Sequence, residues 1–483
     1  SPMSPAGQRL VVTAFAVGLG LPLCLLVLGV DSGFAALEKR PPARIPGWSI
    51  GSSVEPAFYA DVAHAFADRV PLRVEAVVLD AWLDVELFGD SPNPEVLLGA
   101  DGWLFRRQAV VGPRRPEALE RAVDTVGRVS RILATSGRQL VFLVAPDKAA
   151  IYPEKLGPSA DLARPGSLSR QRARALLQEA EMPGYLDLWT AMEQLKQVSA
   201  ETTYWPRDTH WKPESIVEGA RLIAGALDPA LWDADAVAVE PGMRHRSDLA
   251  GMIGLPRQEQ GTSYEVRRNV EVRRAGAADK SPVRLVTHGA EPLFRPRVLA
   301  VTDSFGDDWL GILSQYFADS TWISWSELPR ERLVSIVNEL ARTEVVIIET
   351  VERAMIGRWS RRSRGLPSHL VARLLDDLPS TPLELPPAAS GPSQIRLQPA
   401  LSAAQRSESE RYLVLDLAAD ESAARRLRVE ARDPRDWQRV PSRVVPYAGG
   451  WRVVSPLPAG TRQLMIRPSL ASVAAARVVD IAG

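Results

Sequence analysis

The spacing of apolar and polar residues divides this chain into four unlike stretches. Residues 10–30 carry no charge. About twenty apolar residues at helical rise cover the hydrocarbon core of a bilayer, so 9–30 is expected to span a membrane as an anchor or a signal segment. Residues 31–57 are rich in Pro, Gly and Ser, the composition of a linker. From Pro56 onward the pattern becomes that of a folded chain, with an amphipathic helix expected over 56–87. Leu97-Leu98 and Leu104-Phe105 flank Asp101-Gly102, a turn signal between two apolar runs.

Beyond that turn, short wholly apolar runs alternate with segments of helical period. Strands are predicted at 140–144, 184–188, 298–301, 321–325 and 345–349. Helices are predicted at 116–135, 171–180, 214–226, 307–317 and 330–341. Apolar runs of this length suit strands covered on both faces, and their alternation with helices predicts a mostly parallel sheet between two helical layers. Residues 229–296 are less regular and predict strands or loops inserted beside a site. A Pro- and Ser-rich change near 376–400 closes this unit. The stretch 395–483 then shows short alternating runs at 412–417, 427–431, 451–454 and 463–466, the pattern of a small antiparallel β-sandwich. The expected division is thus a membrane segment (9–30), a linker (31–57), an α/β domain (58–378) and a β-sandwich (395–483).

Composition narrows the function classes. The 483 residues exceed one ordinary core. With 58 basic and 58 acidic side chains the formal net charge is zero, so no global field favours nucleic acid. The single cysteine, Cys24, lies inside the apolar segment, which leaves the rest without disulfide, thiolate metal site or cysteine nucleophile. Arg9 before the segment predicts that the chain beyond it crosses the membrane. Gly33-Phe34-Ala35 would serve as a cleavage site if the segment were a signal peptide.

The candidate chemistry lies in two short pieces. Ser304, in Asp303-Ser304-Phe305-Gly306, follows the apolar run 298–301 and is expected at the carboxyl end of the sheet, where α/β folds place their sites. Helix capping by Ser304 or its neighbours is the competing structural role. The backbone amides of Ser304 and its neighbours, at the start of the helix expected over 307–317, would point outward and hold an oxyanion there. Asp208-Thr209-His210 supplies a carboxylate two residues from an imidazole, able to fix the ring's tautomer and stabilise its charged form. The other histidines, His64, His245, His288 and His369, show no paired spacing, so no metal site is expected. In the C-terminal stretch Trp437, Tyr447 and Trp451 are candidate platforms for sugar rings, or core residues.

Six blocks in order resemble the family of periplasmic polysaccharide O-acetyltransferases that includes AlgJ and AlgX. They are Asp101-Gly102-Trp103-Leu104-Phe105, then Ala145-Pro146-Asp147-Lys148 with Tyr152-Pro153, then Asp208-Thr209-His210-Trp211. Ser247-Asp248-Leu249-Ala250-Gly251-Met252, Asp303-Ser304-Phe305, and Glu349 with Glu352-Arg353 complete the series. The resemblance implies a circularly permuted SGNH-hydrolase-like domain, a Ser304–His210–Asp208 triad and no cofactor. It also implies a polysaccharide substrate, a membrane-bound O-acyltransferase (MBOAT) as acetyl supplier, and a periplasmic location tethered to the inner membrane. Polysaccharide esterase with the same triad, or a non-catalytic glycan-binding subunit of an export complex, are the alternatives. Thr302 stands where the family usually has Gly, which predicts an altered turn before Ser304, since a β-branched residue resists positive φ.

Overall fold

A computed structural model describes residues 4–30, 32, 41–112, 116–275, 282–328, 333–340, 342–359, 365–383, 385, 395–397, 410–432, 436–447, 450–467 and 473–481. Residues 31 and 33–40 of the expected linker, Gly33-Phe34-Ala35 among them, lie outside these, as do 330–332 and 341 of one expected helix.

The apolar N-terminal segment forms helix α1 (Pro5–Val27), and Gly7–Val27 is long and apolar enough to cross a membrane. The amphipathic stretch after it is broken in two, α2 (Pro56–Ala67) and α3 (Arg73–Trp82), followed by a π-helical turn at Leu83–Phe88. The break falls at Pro71, with Leu72 at φ 65°. Twenty of the twenty-five large apolar side chains left exposed among the described residues lie before residue 90. The Asp101-Gly102 signal makes a hairpin between β1 (Val96–Leu98) and β2 (Leu104–Arg106). Both turn residues take positive φ, 54° and 72°, as such tight hairpin turns require.

Next come α4 (Arg107–Val111), α5 (Pro116–Thr135), β3 (Gln139–Ala145), α6 (Lys148–Ile151), α7 (Ala160–Glu179), β4 (Tyr185–Leu186), α8 (Leu188–Val198) and α9 (Pro213–Leu227). The irregular stretch holds a hairpin of β5 (Val237–Arg246) and β6 (Gln258–Val266), with α10 (Asp248–Met252) between them, then β7 (Val270–Ala275) and β8 (Val283–Gly289). The unit closes with β9 (Val298–Thr302), α11 (Trp309–Leu313), β10 (Asp319–Ser324), α12 (Leu333–Leu340), β11 (Val345–Val351), α13 (Glu352–Trp359) and α14 (Leu366–Leu374).

Seven strands form one sheet in the order β4-β3-β11-β9-β10-β8-β7. Its first four junctions are parallel and its last two antiparallel. Strand periodicity sorts the side chains between two cores. Leu140, Phe142 and Val144 of β3 pack with α5, α12 and α14, whereas Val141, Leu143 and Ala145 pack with α8, α9 and α11. Helices therefore cover both faces, and the site opens at the carboxyl ends of the parallel strands.

The C-terminal stretch adds β12 (Ser380–Pro382), β13 (Ile395–Leu397), β14 (Glu410–Leu417), α15 (Glu421–Arg426), β15 (Arg428–Arg432), β16 (Trp437–Val440), β17 (Arg443–Tyr447), β18 (Gly450–Leu457), β19 (Gln463–Arg467) and β20 (Val473–Ile481). They pair as two antiparallel sheets, β12-β20-β14-β18-β17 and β13-β19-β15-β16. Leu413 and Leu415 of the first sheet share one core with Val429, Leu464 and Ile466 of the second. The outer face of the first sheet, through Tyr412, Val414, Val445 and Val454, joins the core built on α5 and α14.

Candidate active site

Ser304 lies one residue beyond the end of β9, after Asp303, and is exposed. The residues after it make turns, and the helix expected over 307–317 is only the five-residue α11. Asp303 holds the turn from below. Its Oδ1 accepts from the amide of Phe305 at 3.0 Å, and its Oδ2 from the amide of Val351 at 2.8 Å and from Arg358 at 2.5 Å. Its carbonyl takes the amide of Asp307 at 2.8 Å. Of the neighbouring amides read as oxyanion donors, those of Phe305 and Asp307 are therefore committed to Asp303, and the helix itself starts only at Trp309.

Thr302 does not strain the turn. Among the described residues only Leu72, Asp101 and Glu181 combine a side chain with positive φ, and the Thr302 hydroxyl donates to Asp307 Oδ1 at 2.7 Å. The space comes from Gly306 instead, where a Cβ would meet Thr302 Cγ2 at 2.8 Å and Glu349 Oε2 at 3.0 Å. Glu349 is fully buried on β11 and accepts from the amide of Asp303 at 2.8 Å. Burial, reinforced by the neighbouring Asp303 charge, pushes its carboxyl well above the usual range.

The loop between α8 and α9 brings Asp208 and His210 to Ser304. His210 Nδ1 lies 2.8 Å from Asp208 Oδ1, and His210 Nε2 lies 2.9 Å from Ser304 Oγ. Asp208 is 2 % exposed. Burial opposes its charge, but hydrogen bonds from His210 and His245 outweigh it and hold the carboxyl well below the usual range. Burial would lower His210; the bond to Asp208 and the charges of Asp208, Asp248 and Asp308 raise it above the ordinary imidazole value instead. Asp208, His210 and Asp248 have ligating atoms within 4.8 Å of one another. Asp248 accepts from the Thr209 amide and hydroxyl, both at 2.7 Å, while Asp208 serves His210. In this chain of bonds His210 can take a proton from Ser304 while Asp208 stays ionised and stabilises the charged ring.

Three groups absent from the sequence-based triad hold this loop. Lys148, at the start of α6, is 3 % exposed and donates to the carbonyls of Trp205, Pro206 and Asp208 at 3.0, 2.9 and 2.6 Å. Burial depresses its pKa to about 7 against the attraction of Asp208, Glu259 and Asp248. The amide of Asp248 and the ring of His245 both donate to Asp208 Oδ2, at 2.6 and 2.9 Å. Lys148 and Asp248 belong to blocks already visible in the sequence; His245 has no local signal.

The C-terminal aromatics are not assembled into one surface. Trp437 lies on β16 of the four-stranded sheet, whereas Tyr447 and Trp451 lie on β17 and β18 of the other. Tyr447 is paired with Gly450 and Pro446 with Trp451, so strand alternation puts Tyr447 and Trp451 on opposite faces. Trp451 packs on the shared core. Tyr447 donates to Asp376 at 2.6 Å, and the Arg452 guanidinium lies 3.2 Å from its ring centroid. These contacts place Tyr447 at the junction between the sheets and the α/β unit.

Residues 96–318 match the family model described as the SGNH hydrolase-like domain of acetyltransferase AlgX. A Pseudomonas aeruginosa protein named probable alginate O-acetylase AlgJ is 31% identical over 236 residues, which is 45% of this chain and 58% of that protein. The protein of the same name in Azotobacter vinelandii is 28% identical over 250 residues, covering 46% and 60%. The solved O-acetyltransferase domain of Pseudomonas putida AlgJ is 24% identical and covers 55% of this chain and 92% of that one, with a TM-score of 0.39. The chain spans about three fifths of the length of these curated relatives. The resemblance to the AlgX/AlgJ O-acetyltransferases read from the six blocks is borne out over the matched stretch.

Proposed function

We propose that this protein O-acetylates an exported polysaccharide through a Ser304–His210–Asp208 triad and an acetyl-serine intermediate. The observation that carries the reading is the unbroken relay from buried Asp208 through His210 to an exposed Ser304, with both links under 3 Å. Asp208 fixes the tautomer in which Nδ1 carries the proton, leaving Nε2 to accept from Ser304. As Ser304 attacks the acetyl donor, His210 takes its proton and returns it to the leaving group. A sugar hydroxyl, deprotonated by the same Nε2, then attacks the acetyl-serine and releases Ser304.

The likeness to proteins named alginate O-acetylase supports polysaccharide as the acceptor class. The apolar α1 supports a tether in the inner membrane, with the α/β unit and a C-terminal β-sandwich in the periplasm. Acetyl-CoA is a cytoplasmic donor, so an MBOAT-type acyltransferase is the partner that would supply acetyl groups across the membrane.

The test gives the purified protein an acetyl ester and acceptor oligosaccharides. Acetylated sugar is the expected product, and Ser304→Ala is expected to abolish it; free acetate alone would instead identify an esterase. A Ser304→Ala variant with undiminished transfer would sink the triad.

A further inference from the structure

Asp208 is bridged by two imidazoles, of which the proposed triad uses one. The second, His245, stands near the end of β5 in the inserted hairpin. Its Nε2 lies 2.9 Å from Asp208 Oδ2, and because an ionised carboxylate only accepts, that nitrogen carries the proton. The ring lies flat against the indole of Trp205, with centroids 4.5 Å apart and planes 16° from parallel. Trp205 fits there because β6 has Gly261 beneath it, where a Cβ would come within 2.3 Å of the indole. The two strands of the hairpin thus act together, since β5 presents the imidazole and β6 leaves room for the aromatic plate that orients it.

We propose that His245 is a positioning residue of the acyl-transfer centre, a second imidazole that locks the plane of the Asp208 carboxylate so that Oδ1 faces His210. The proposal rests on the triad reading given above. The terminal torsion of an aspartate is broad and nearly two-fold, so a carboxylate held by one oxygen alone can rock away from its partner. Oδ1 is held by His210, through both its backbone amide and its ring, at 2.8 Å each. Oδ2 is held by the Asp248 amide at 2.6 Å and by His245. Of these donors only the His245 side chain can be removed without touching the triad itself or the backbone. The ionisable groups around it and its carboxylate partner are Asp208 and His210 on the loop, Lys148 at the start of α6, Asp248 on α10, Glu259 across the hairpin and Asp308 in the turn after Ser304. With His245 gone, one hydrogen bond stops sharing the Asp208 charge, and more of that charge acts on His210. The protonated form of His210 is then favoured, so the acidic limb of the rate profile moves to higher pH.

The experiment compares the full chain, Ser304→Ala, His245→Ala and His245→Gln with p-nitrophenyl acetate as donor. His245→Ala is expected to lower kcat by about tenfold or more with KM within about twofold, and to raise the midpoint of the acidic limb. His245→Gln, whose amide can donate in place of Nε2, is expected to recover kcat to within about threefold. A His245→Ala enzyme with kcat within about twofold of the parent overturns the proposal while an inactive Ser304→Ala leaves the triad standing. An active Ser304→Ala overturns the triad, and the positioning role with it. Should His245→Ala not fold, imidazole nitrogen shifts of the intact, histidine-labelled protein decide. An Nε2–H tautomer at His245 near pH 8 supports the proposal, and an Nδ1–H tautomer overturns it.

Discussion

At the scale of single residues, Asp208 controls the site through His210. In the proposed triad His210 is the general base and must be unprotonated, and it is raised above the ordinary imidazole value. The acidic limb of kcat/KM is therefore expected above pH 6.5. Asp208→Asn removes the charge and the tautomer control together. It is expected to cost about 10³–10⁴-fold in kcat and to move the acidic limb to lower pH, because burial then acts on His210 with less opposition. Steady-state rates between pH 5 and 9 check both. The Asp208–His210 pair was legible because the two residues share three positions of sequence and Ser304 follows a wholly apolar strand. His245 was not, because its partner lies 37 residues away along the chain, and only the hairpin brings them together.

At the scale of elements, β3, β9 and β11 announce themselves by apolar runs buried on both faces, and α5 by its helical period, matched in extent to the residue. Other elements were obscured by competing signals. Leu188 reads as the end of a strand because apolar residues precede it, yet Asp187 caps the helix α8 by accepting from the Thr190 amide at 3.2 Å. Pro165 hides the first half of α7, which begins at Ala160 rather than 171. After Ser304 the apolar Trp309–Phe317 run suggests a long helix, while Asp303 diverts the backbone into turns. The lock between β9 and β11 carries a pH signature. Glu349 is raised in the folded state, so the stability it contributes is complete below its unfolded value of about 4.3 and fades as pH climbs toward the folded one, by at most about 1.4 kcal/mol per pH unit. Glu349→Gln mimics the neutral acid. It is expected to match the parent near pH 4 and to exceed it increasingly toward pH 8, as urea unfolding at the two values would reveal; a parallel pH dependence would contradict a neutral Glu349.

For the whole molecule, the C-terminal sheets are fastened to the α/β unit by charge as well as by apolar contact. Arg452, 1 % exposed, reaches Asp416 at 2.5 Å, Asp376 at 2.7 Å and the Ala372 carbonyl at 2.8 Å, and Arg477 pairs with the same two carboxylates. Removing Arg452 leaves the partly exposed Asp376 and Asp416 sharing Arg477, so Arg452→Met is expected to destabilise the protein by about 1–3 kcal/mol. Chemical denaturation would measure it, and a change under about 1 kcal/mol, the usual centre for a point substitution, would show the cluster to be dispensable. The exposed apolar side chains gathered before residue 90 include those of α1, the helix long and apolar enough to cross a membrane. Ser304 stands open to solvent. In the proposed mechanism an acetyl group on this exposed serine would be in a race, since bulk water and a sugar hydroxyl would compete for the same carbonyl. The yield of modified polymer is then a partition ratio, set by how soon an acceptor arrives rather than by how well water is excluded. The proposed tethering of catalyst, donor and polymer at one membrane would shorten that wait.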